Sequence, residues 1–485
     1  MAEQSIKDKT IKGTFWSAAD AFLGQGVTFF VGLVLARILS PSEYGLIGIV
    51  TIFTSILTGI VDSGFSNALI RKKNTIQEDY DTMFITNIVF SVTLYIILYL
   101  CSPLISSFFN RQELTALTRV TGTILIIQAL SLVQNTVLTK RVDFKTKTKA
   151  SVISALISGT IGIVLALNGF GVWALVWQIL SKQLFYTICL WILNRWKPSF
   201  NFSKESFHYM WGFGWKLMLS GLLNNIWNQL YQVVVGKCYS PSTLGHYTRA
   251  KEYAQIFSSN FTLIFQRVTY PILASVQDEK ERMVFAYRKI IKVSMFISFI
   301  CLFLMGAVSG PLLYCLIGPQ WGEAATYLPF ICVTMSLYPL HAINLNMLQV
   351  LGRSDIYLQI ELLKKFIAIV PLCLGIFIGI YWMLIGSIIV SVIAFFINSF
   401  YSGKELKYTS WMQLKDISKS LMVSIMISLP VYFLNYLPLS DYIILPLQLL
   451  LGLIICFVVC EQIQLEEYIE IKNIVLSYYK KITKK

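Results

Sequence analysis

Charge is scarce in this chain. Only 13% of its 485 residues are Asp, Glu, Lys or Arg, against 56% hydrophobic, and the mean hydropathy is +0.65. Soluble domains carry roughly 25% charged residues, so a soluble organisation is excluded. Cysteine is thinly spread: the nine residues lie mostly within apolar runs and form no C-x-x-C pair. They read as small packing residues, which excludes a disulfide or metal framework, and three histidines add nothing to a metal case. No GxxxxGK[ST], GxSxG or HExxH pattern occurs, and no polar segment is long enough for a sizeable extramembrane domain. The chain is therefore expected to have no catalytic residues, no cofactor and no ATP hydrolysis of its own.

What is abundant is apolar sequence in runs of about 20 residues, each long enough to cross a bilayer as a helix. Fourteen such runs follow one another: 14–39, 43–70, 81–107, 116–139, 150–169, 171–194, 211–238, 243–271, 290–317, 325–352, 358–381, 382–403, 418–437 and 442–460. They are too long and too continuous for barrel strands. The expected fold class is an all-α integral membrane protein with about 14 transmembrane helices. The first run contains Asp20 and Arg37 and lacks a convincing cut site, so it is expected to be kept and not removed as a signal peptide.

The net charge of +15 is unevenly distributed. Threading the fourteen runs places Lys7, Lys9 and Lys12 on one side with the basic stretches at 71–73, 140–149, 194–204, 278–289 and 403–419, Arg353 and the tail. The other side receives Arg37, Arg111, Arg119 and Lys237. This is the positive-inside pattern, and it predicts that both termini are cytoplasmic. With the charge so explained and no soluble module to carry it, nucleic acid is not an expected partner.

A short turn is written twice: "ILSPSEYG" at 38–45 and "CYSPSTLG" at 238–245. Ser40 can cap the helix that follows, Pro41 suits its first position and Glu43 can complete a capping box; Ser240 and Pro241 repeat this, while Thr243 leaves the box incomplete. "GTFW" at 13 and "GFGW" at 212 precede the two turns at nearly equal offsets. The reading is two six-helix lobes in a parallel pseudo-repeat plus two C-terminal helices. The N-lobe is 1–194, a cytoplasmic linker 195–210, the C-lobe 211–403, the additional helices 404–460 and a basic cytoplasmic tail 461–485. Parallel repeats are related by an axis along the membrane normal, and transporters of this kind bind substrate between the halves.

Ionisable residues inside hydrocarbon are costly and are functional candidates by default. Asp20 lies within the first run and Lys216 at a similar depth in its repeat partner; Lys182 is near the middle of the sixth run. Arg249, Lys251, Glu252 and Arg267 fall on the eighth, and Glu361, Lys364 and Lys365 on the eleventh. The basic excess suits a hydrated cavity for an anion, phosphate above all, with Lys182, Lys216, Arg249 and Arg267 as candidate head-group ligands. Two plainer readings stay open: Lys364, Lys365 and Arg267 snorkel to head groups, and Arg249 pairs with Glu252 one turn away. Asn224, Asn228 and Gln232 recur at every fourth residue of the seventh run, flanked by Asn225 and Gln229. Such a stripe either bonds neighbouring helices or lines a wet path where sugar hydroxyls exchange hydrogen bonds. His341, Asn344 and Gln349 form a weaker set.

The stretches "LARILSPSEYGLIGIV", "DSGFSNALIRKKN", "RVDFKTKTKASVISALISGTIGIVLALNGFGVWALVWQ", "GHYTRAKEYAQIF" and "YPILASVQDE" resemble the polysaccharide exporter, or Wzx-type flippase, branch of the multidrug/oligosaccharidyl-lipid/polysaccharide superfamily. The resemblance covers about the first 280 residues. It implies fourteen helices and a flippase that translocates an undecaprenyl-diphosphate-linked oligosaccharide across the bacterial cytoplasmic (inner) membrane by alternating access, for O-antigen, capsule or exopolysaccharide synthesis. Expected partners are that lipid-linked oligosaccharide, membrane lipids, H+ or Na+ as coupling ion, and the polysaccharide polymerase and glycosyltransferases of the pathway. Asp20 is the candidate coupling acid, though a salt bridge to Lys216 explains it equally well. Asp62 in "DSGF" matches the family pattern, and its depth favours a structural cap. The alternatives are a peptidoglycan-precursor flippase and a drug or cation antiporter of the same superfamily; the antiporter predicts embedded acids, the reverse of the balance found here.

Overall fold

In the computed structural model, residues 23–62, 64–194, 196–276 and 278–483 are described. Among them there is no strand: the elements are α1 Gln25–Ile38, α2 Pro41–Asp62, α3 Phe65–Arg71, α4 Gln77–Phe109, α5 Glu113–Gly122, α6 Ile124–Lys140, α7 Phe144–Leu167, α8 Val172–Leu193, α9 Lys204–Cys238, α10 Pro241–Ser275, α11 Lys280–Ala307, α12 Ser309–Ile317, α13 Gly322–Ser336, α14 Tyr338–Val350, α15 Ser354–Ile367, α16 Ile369–Phe377, α17 Ile380–Leu406, α18 Ser410–Phe433, α19 Asp441–Ile463 and α20 Glu466–Thr483. The protein is an all-helical, multi-pass membrane protein. Every expected apolar run falls on these helices, the first of them only in part because Asp20 lies outside the described residues.

Among the described residues ten helical stretches are long and apolar enough to cross a membrane unaided. The expected runs that miss that standard include α9 and α10, each 35 residues long. They also include the broken pair α15–α16. Length is not their deficiency. They carry the Asn stripe with Lys216, the Arg249–Lys251–Glu252 group, and Glu361 with Lys364 and Lys365, so the polar load that sequence reading singled out is concentrated on them.

Chain contacts divide the structure into residues 1–245 and 246–485. In the first unit α7 packs along α8, α4 against α5 and α6, and α9 against α2, α3 and α4. Small residues allow the closest pair: Ser154, Ser158, Gly162 and Ala166 recur at every fourth position of α7 and are buried. Without a hydrophobic force between helices in lipid, such small faces let backbones approach and gain dispersion. A Cβ on Gly162 would sit 2.9 Å from Gln178 Cβ on α8.

The repeated turns behave as their residues require. The Ser40 amide and hydroxyl donate to Glu43 Oε2 at 2.6 and 2.9 Å, and the Glu43 amide donates to Ser40 Oγ at 3.4 Å, a capping box. In the second copy the Thr243 amide donates to Ser240 Oγ at 3.1 Å without a carboxylate to return the bond. The two turns also meet. A Cβ on Gly45 would lie 1.7 Å from the Pro241 carbonyl oxygen, and one on Gly245 would lie 1.9 Å from the Pro41 carbonyl oxygen. The two turns are thus in reciprocal close contact.

The two ends of the first unit differ in chemistry. At one, Asp79 is buried and accepts from Lys72 Nζ at 2.7 Å, the Ile76 amide at 3.0 Å and Ser206 Oγ at 2.7 Å. Lys140 Nζ donates to the Leu69 carbonyl at 3.0 Å, and the Ser199 amide to Asp81 at 3.0 Å. The loops near 72–76, 140 and 197–206 thus share an end. At the other, Lys237 Nζ donates to the Phe108 carbonyl at 2.5 Å, beside the turn at 109–112.

The second unit packs α11 against α18 and α13, α14 against α17, and α19 against α18. Its core joins Tyr287, Ile291, Met295 and Phe299 of α11 to Ile343, Met347, Phe395 and Ile417. The helix breaks at Val308, Leu337 and Ala368 precede Pro311, Pro339 and Pro371 by two or three residues, the distance at which a missing N–H and the ring's bulk interrupt the ladder. His341 and Asn344 are tied inside this unit. His341 shares its ring nitrogens with Ser391 and Asn398 at 3.2 Å each, and Asn344 accepts from Tyr287 OH and from Ser402 Oγ, the latter at 2.9 Å.

Candidate functional site

Within the first unit, α2 ends at Asp62 and the chain turns through Gly64, which has φ 70°, before α3 begins. That conformation suits glycine, and so does the packing: a Cβ here would lie 2.7 Å from the Gly214 carbonyl oxygen of α9. Two glycines thus bring the break between α2 and α3 against α9. Beside their crossing a cavity of about 360 Å³ opens, lined by Gly59, Asp62, Asn67, Leu217, Gly221, Asn224, Asn225 and Asn228 among others. Among the described residues its wall is one carboxylate, four amides and little else that is polar.

The Asn stripe divides between two tasks. Asn225 Nδ2 donates to the Ser55 carbonyl of α2 at 2.6 Å and Gln229 Nε2 to Ser55 Oγ at 3.1 Å, so this pair fastens α9 to α2. Asn224 and Asn228 turn their exposed side chains to the cavity. Gln232 is half-buried and is not among the lining residues. Asp62 accepts from Ser66 Oγ, and Ser66 Oγ in turn accepts from Thr136 Oγ1 at 3.0 Å, which fixes the carboxylate from behind. The Asp62–Ser66 bond runs from side chain to side chain, and helix α3 begins after Gly64 without a side-chain cap. The place of Asp62 in the cavity wall was missed, and the only available signal was its spacing from "GF" before an Asn.

The basic candidates are placed as follows. Lys182, half-buried on α8, donates from Nζ to Thr28 Oγ1 of α1 at 2.9 Å. Lys216 is exposed on α9, next in sequence to Leu217 and Met218 of the cavity wall. Arg249 donates to Glu252 Oε2 at 2.7 Å, the local pairing held open from sequence. The ammonium of Lys364 likewise pairs with Glu361. The side chain of Arg267, like Asp20, lies outside the described residues. Among the described residues, no Lys or Arg lines the Asp62 cavity. Its chemistry is therefore that of neutral donors and acceptors with a single anion: it can exchange hydrogen bonds with hydroxyl-rich groups or accept a proton or small cation at Asp62.

Residues 34–326 match the family model described as polysaccharide biosynthesis protein. The chain is 25% identical over 321 residues to the succinoglycan biosynthesis transport protein ExoT of Rhizobium meliloti, 66% of this chain and 65% of that one. It is 23% identical over 439 residues to the lipopolysaccharide biosynthesis protein WzxC of Escherichia coli, covering 89% and 88%. Among solved structures it is similar to the lipid II flippase MurJ in an inward closed conformation, with TM-score 0.70, 14% identity and coverage of 92% and 97%. At that identity the likeness is one of fold.

Proposed function

The chain belongs to the polysaccharide biosynthesis protein family, and from that premise we propose that it is a flippase for an undecaprenyl-diphosphate-linked oligosaccharide. It would carry this lipid from the inner to the outer leaflet of a bacterial cytoplasmic membrane for O-antigen, capsule or exopolysaccharide synthesis, by alternating access and without chemistry on the substrate. The observation that carries the reading is the amide-lined cavity. A helix bundle with the polarity of hydrocarbon outside has placed Asn67 and Asn228 around a hollow, and polar groups there are costly unless they meet water or a hydrogen-bonding guest. Sugar hydroxyls, each donor and acceptor, answer that need.

In this reading Lys182, Lys216, Arg249 and Arg267 meet the diphosphate, whose oxygens take charge-assisted hydrogen bonds. Asn224, Asn228 and Gln232 meet the sugars. Asp62 joins Asp20 as an acid able to couple transport to H+ or Na+: ions of either kind bind best to a fixed carboxylate in a low-dielectric wall. A lone carboxylate among amides also suits a cation antiporter, so the test must separate the two.

Proteoliposomes holding the full chain and a lipid-linked oligosaccharide supply that test, read as outward movement of the sugar. Asn228→Leu, Lys182→Ala, Lys216→Ala and Arg249→Ala are expected to slow movement, and Asp62→Asn to remove its response to an imposed ion gradient. Undiminished movement in all the variants, or cation exchange without oligosaccharide movement, would overturn the reading. Lipid II offered in place of the oligosaccharide distinguishes the peptidoglycan-precursor alternative.

A further inference from the structure

The first unit contains a second hollow, about 690 Å³, between α4, α5 and α8. Its wall is mainly apolar and aromatic, with Tyr95, Tyr99, Ile127, Trp177, Leu180 and Leu184. It is open along one side: Tyr99, Trp177 and Leu184 are 41%, 48% and 43% exposed. Among the described residues one cation enters it. Arg119 of α5 stacks its guanidinium 4.2 Å from the centre of the Tyr99 ring and donates from Nε to Ser102 Oγ at 2.9 Å. These two contacts fix the plane of the group and use one of its five N–H donors. No carboxylate among the described residues pairs with it.

Depth decides what such a cation meets. The stretch Glu113–Lys140 is 28 residues long, about 42 Å at 1.5 Å per residue, close to the thickness of a bilayer with its head groups. Arg119 lies six residues in from Glu113, about 9 Å from that end. A guanidinium there stands where lipid phosphates border hydrocarbon, and the hollow beside it has the apolar lining an acyl chain requires. Hydrophobic trough and single rigid cation together match an amphiphile with one negative head.

We propose that this hollow seats an anionic phospholipid of the adjoining leaflet, with its phosphate on Arg119 and one acyl chain along Trp177 and Leu184. The seat is separate from the Asp62 cavity and does not depend on what the protein transports. By holding α4, α5 and α8 around a shared guest, the lipid becomes a structural component of the first unit.

The full chain in nanodiscs containing a phosphatidylglycerol with a photoreactive acyl chain tests this, with crosslinks mapped by mass spectrometry. The wild type is expected to label the segment 177–184. Arg119→Gln removes the charge while keeping an amide donor for Ser102, and Ala116→Trp fills the trough with Arg119 intact; each is expected to lower that label about tenfold. Should Arg119→Gln fail to fold, Ala116→Trp still carries the test. Equal labelling in the folded variants, or equal labelling by a phosphatidylcholine analogue, would mean ordinary solvent lipid and overturn the proposal. Displacement of the label by millimolar inorganic phosphate would overturn it too, since the site would then take a bare anion.

Discussion

Asn225 and Asn228 are three residues apart and both border the cavity, but of the two only Asn225 is tied to the neighbouring helix among the described residues. The first gives its amide to the Ser55 carbonyl at 2.6 Å, while the second stands exposed in the cavity wall. Replacing Asn225 with Leu strips a hydrogen bond from the α2–α9 contact, which should cost about 0.5–1.5 kcal/mol and lower the melting temperature of the purified protein. Asn228→Leu is expected to leave the melting temperature within the range of ordinary surface changes, about 0.5 kcal/mol, while slowing oligosaccharide movement. Equal losses of stability would remove Asn228 from the cavity face. The stripe itself was legible in sequence because four-residue spacing on a helix is unambiguous. Its division was not, since the rotation of α9 against α2 is set by the meeting of Gly64 and Gly214, 150 residues apart in sequence. His341 and Asn344 show the same limit: their polarity stood out, but that Ser391, Asn398 and Ser402 answer it inside the second unit is a tertiary fact.

Elements were more readable than residues. Apolar runs located the helices because hydrocarbon permits no other open structure, and the capping box at Ser40–Glu43 was predicted from four letters and found. Less legible was the last element. Residues 461–485 read as a basic tail, yet Glu466–Thr483 forms α20. Leu465, Tyr468 and Ile471 join Phe296, Val423 and Ile427 in one apolar cluster, and Lys292 reaches Glu466 at 2.8 Å. The charges that made the segment look solvated lie around an apolar face that charge counting overlooks. The paired turns offer the sharpest test at this scale. Gly45→Ala and Gly245→Ala would each drive a methyl to within 2 Å of a helix carbonyl oxygen, and backbone cannot rotate aside as a side chain can. Overpacking commonly costs 1–3 kcal/mol, and about 3 or more is expected here, read as a large fall in melting temperature or in folded yield. Gly26→Ala, with nothing within 4 Å of the new carbon, should be neutral or mildly stabilising through helix propensity. If all three variants melt alike, the crossing is not a close one.

Across the whole molecule the question is which end faces the cytoplasm, and the charge pattern and the fold address it together. Helix packing gathers Lys72, Lys140 and the loop at 197–206 at one end of the first unit, and Lys237 with the turn at 109–112 at the other. The separation of basic-rich from basic-poor loops thus corresponds to two physical ends, and the translocation bias against Lys and Arg predicts that the richer one stays inside. Cys238 supplies a native probe, because it is exposed and adjoins Lys237 on the poorer end. With the other eight cysteines replaced by Ala or Ser, a membrane-impermeant maleimide should label Cys238 in intact cells. A cysteine placed at Asn74, on an exposed loop beside Lys72, should react only after the membrane is opened. The opposite pattern would reverse the chain in its membrane, and with it the direction of the proposed transport relative to the basic face. Labelling of both sites in intact cells would instead break the link between charge and topology and leave the two ends chemically distinct for some other reason, such as recruitment of anionic lipid on the basic side.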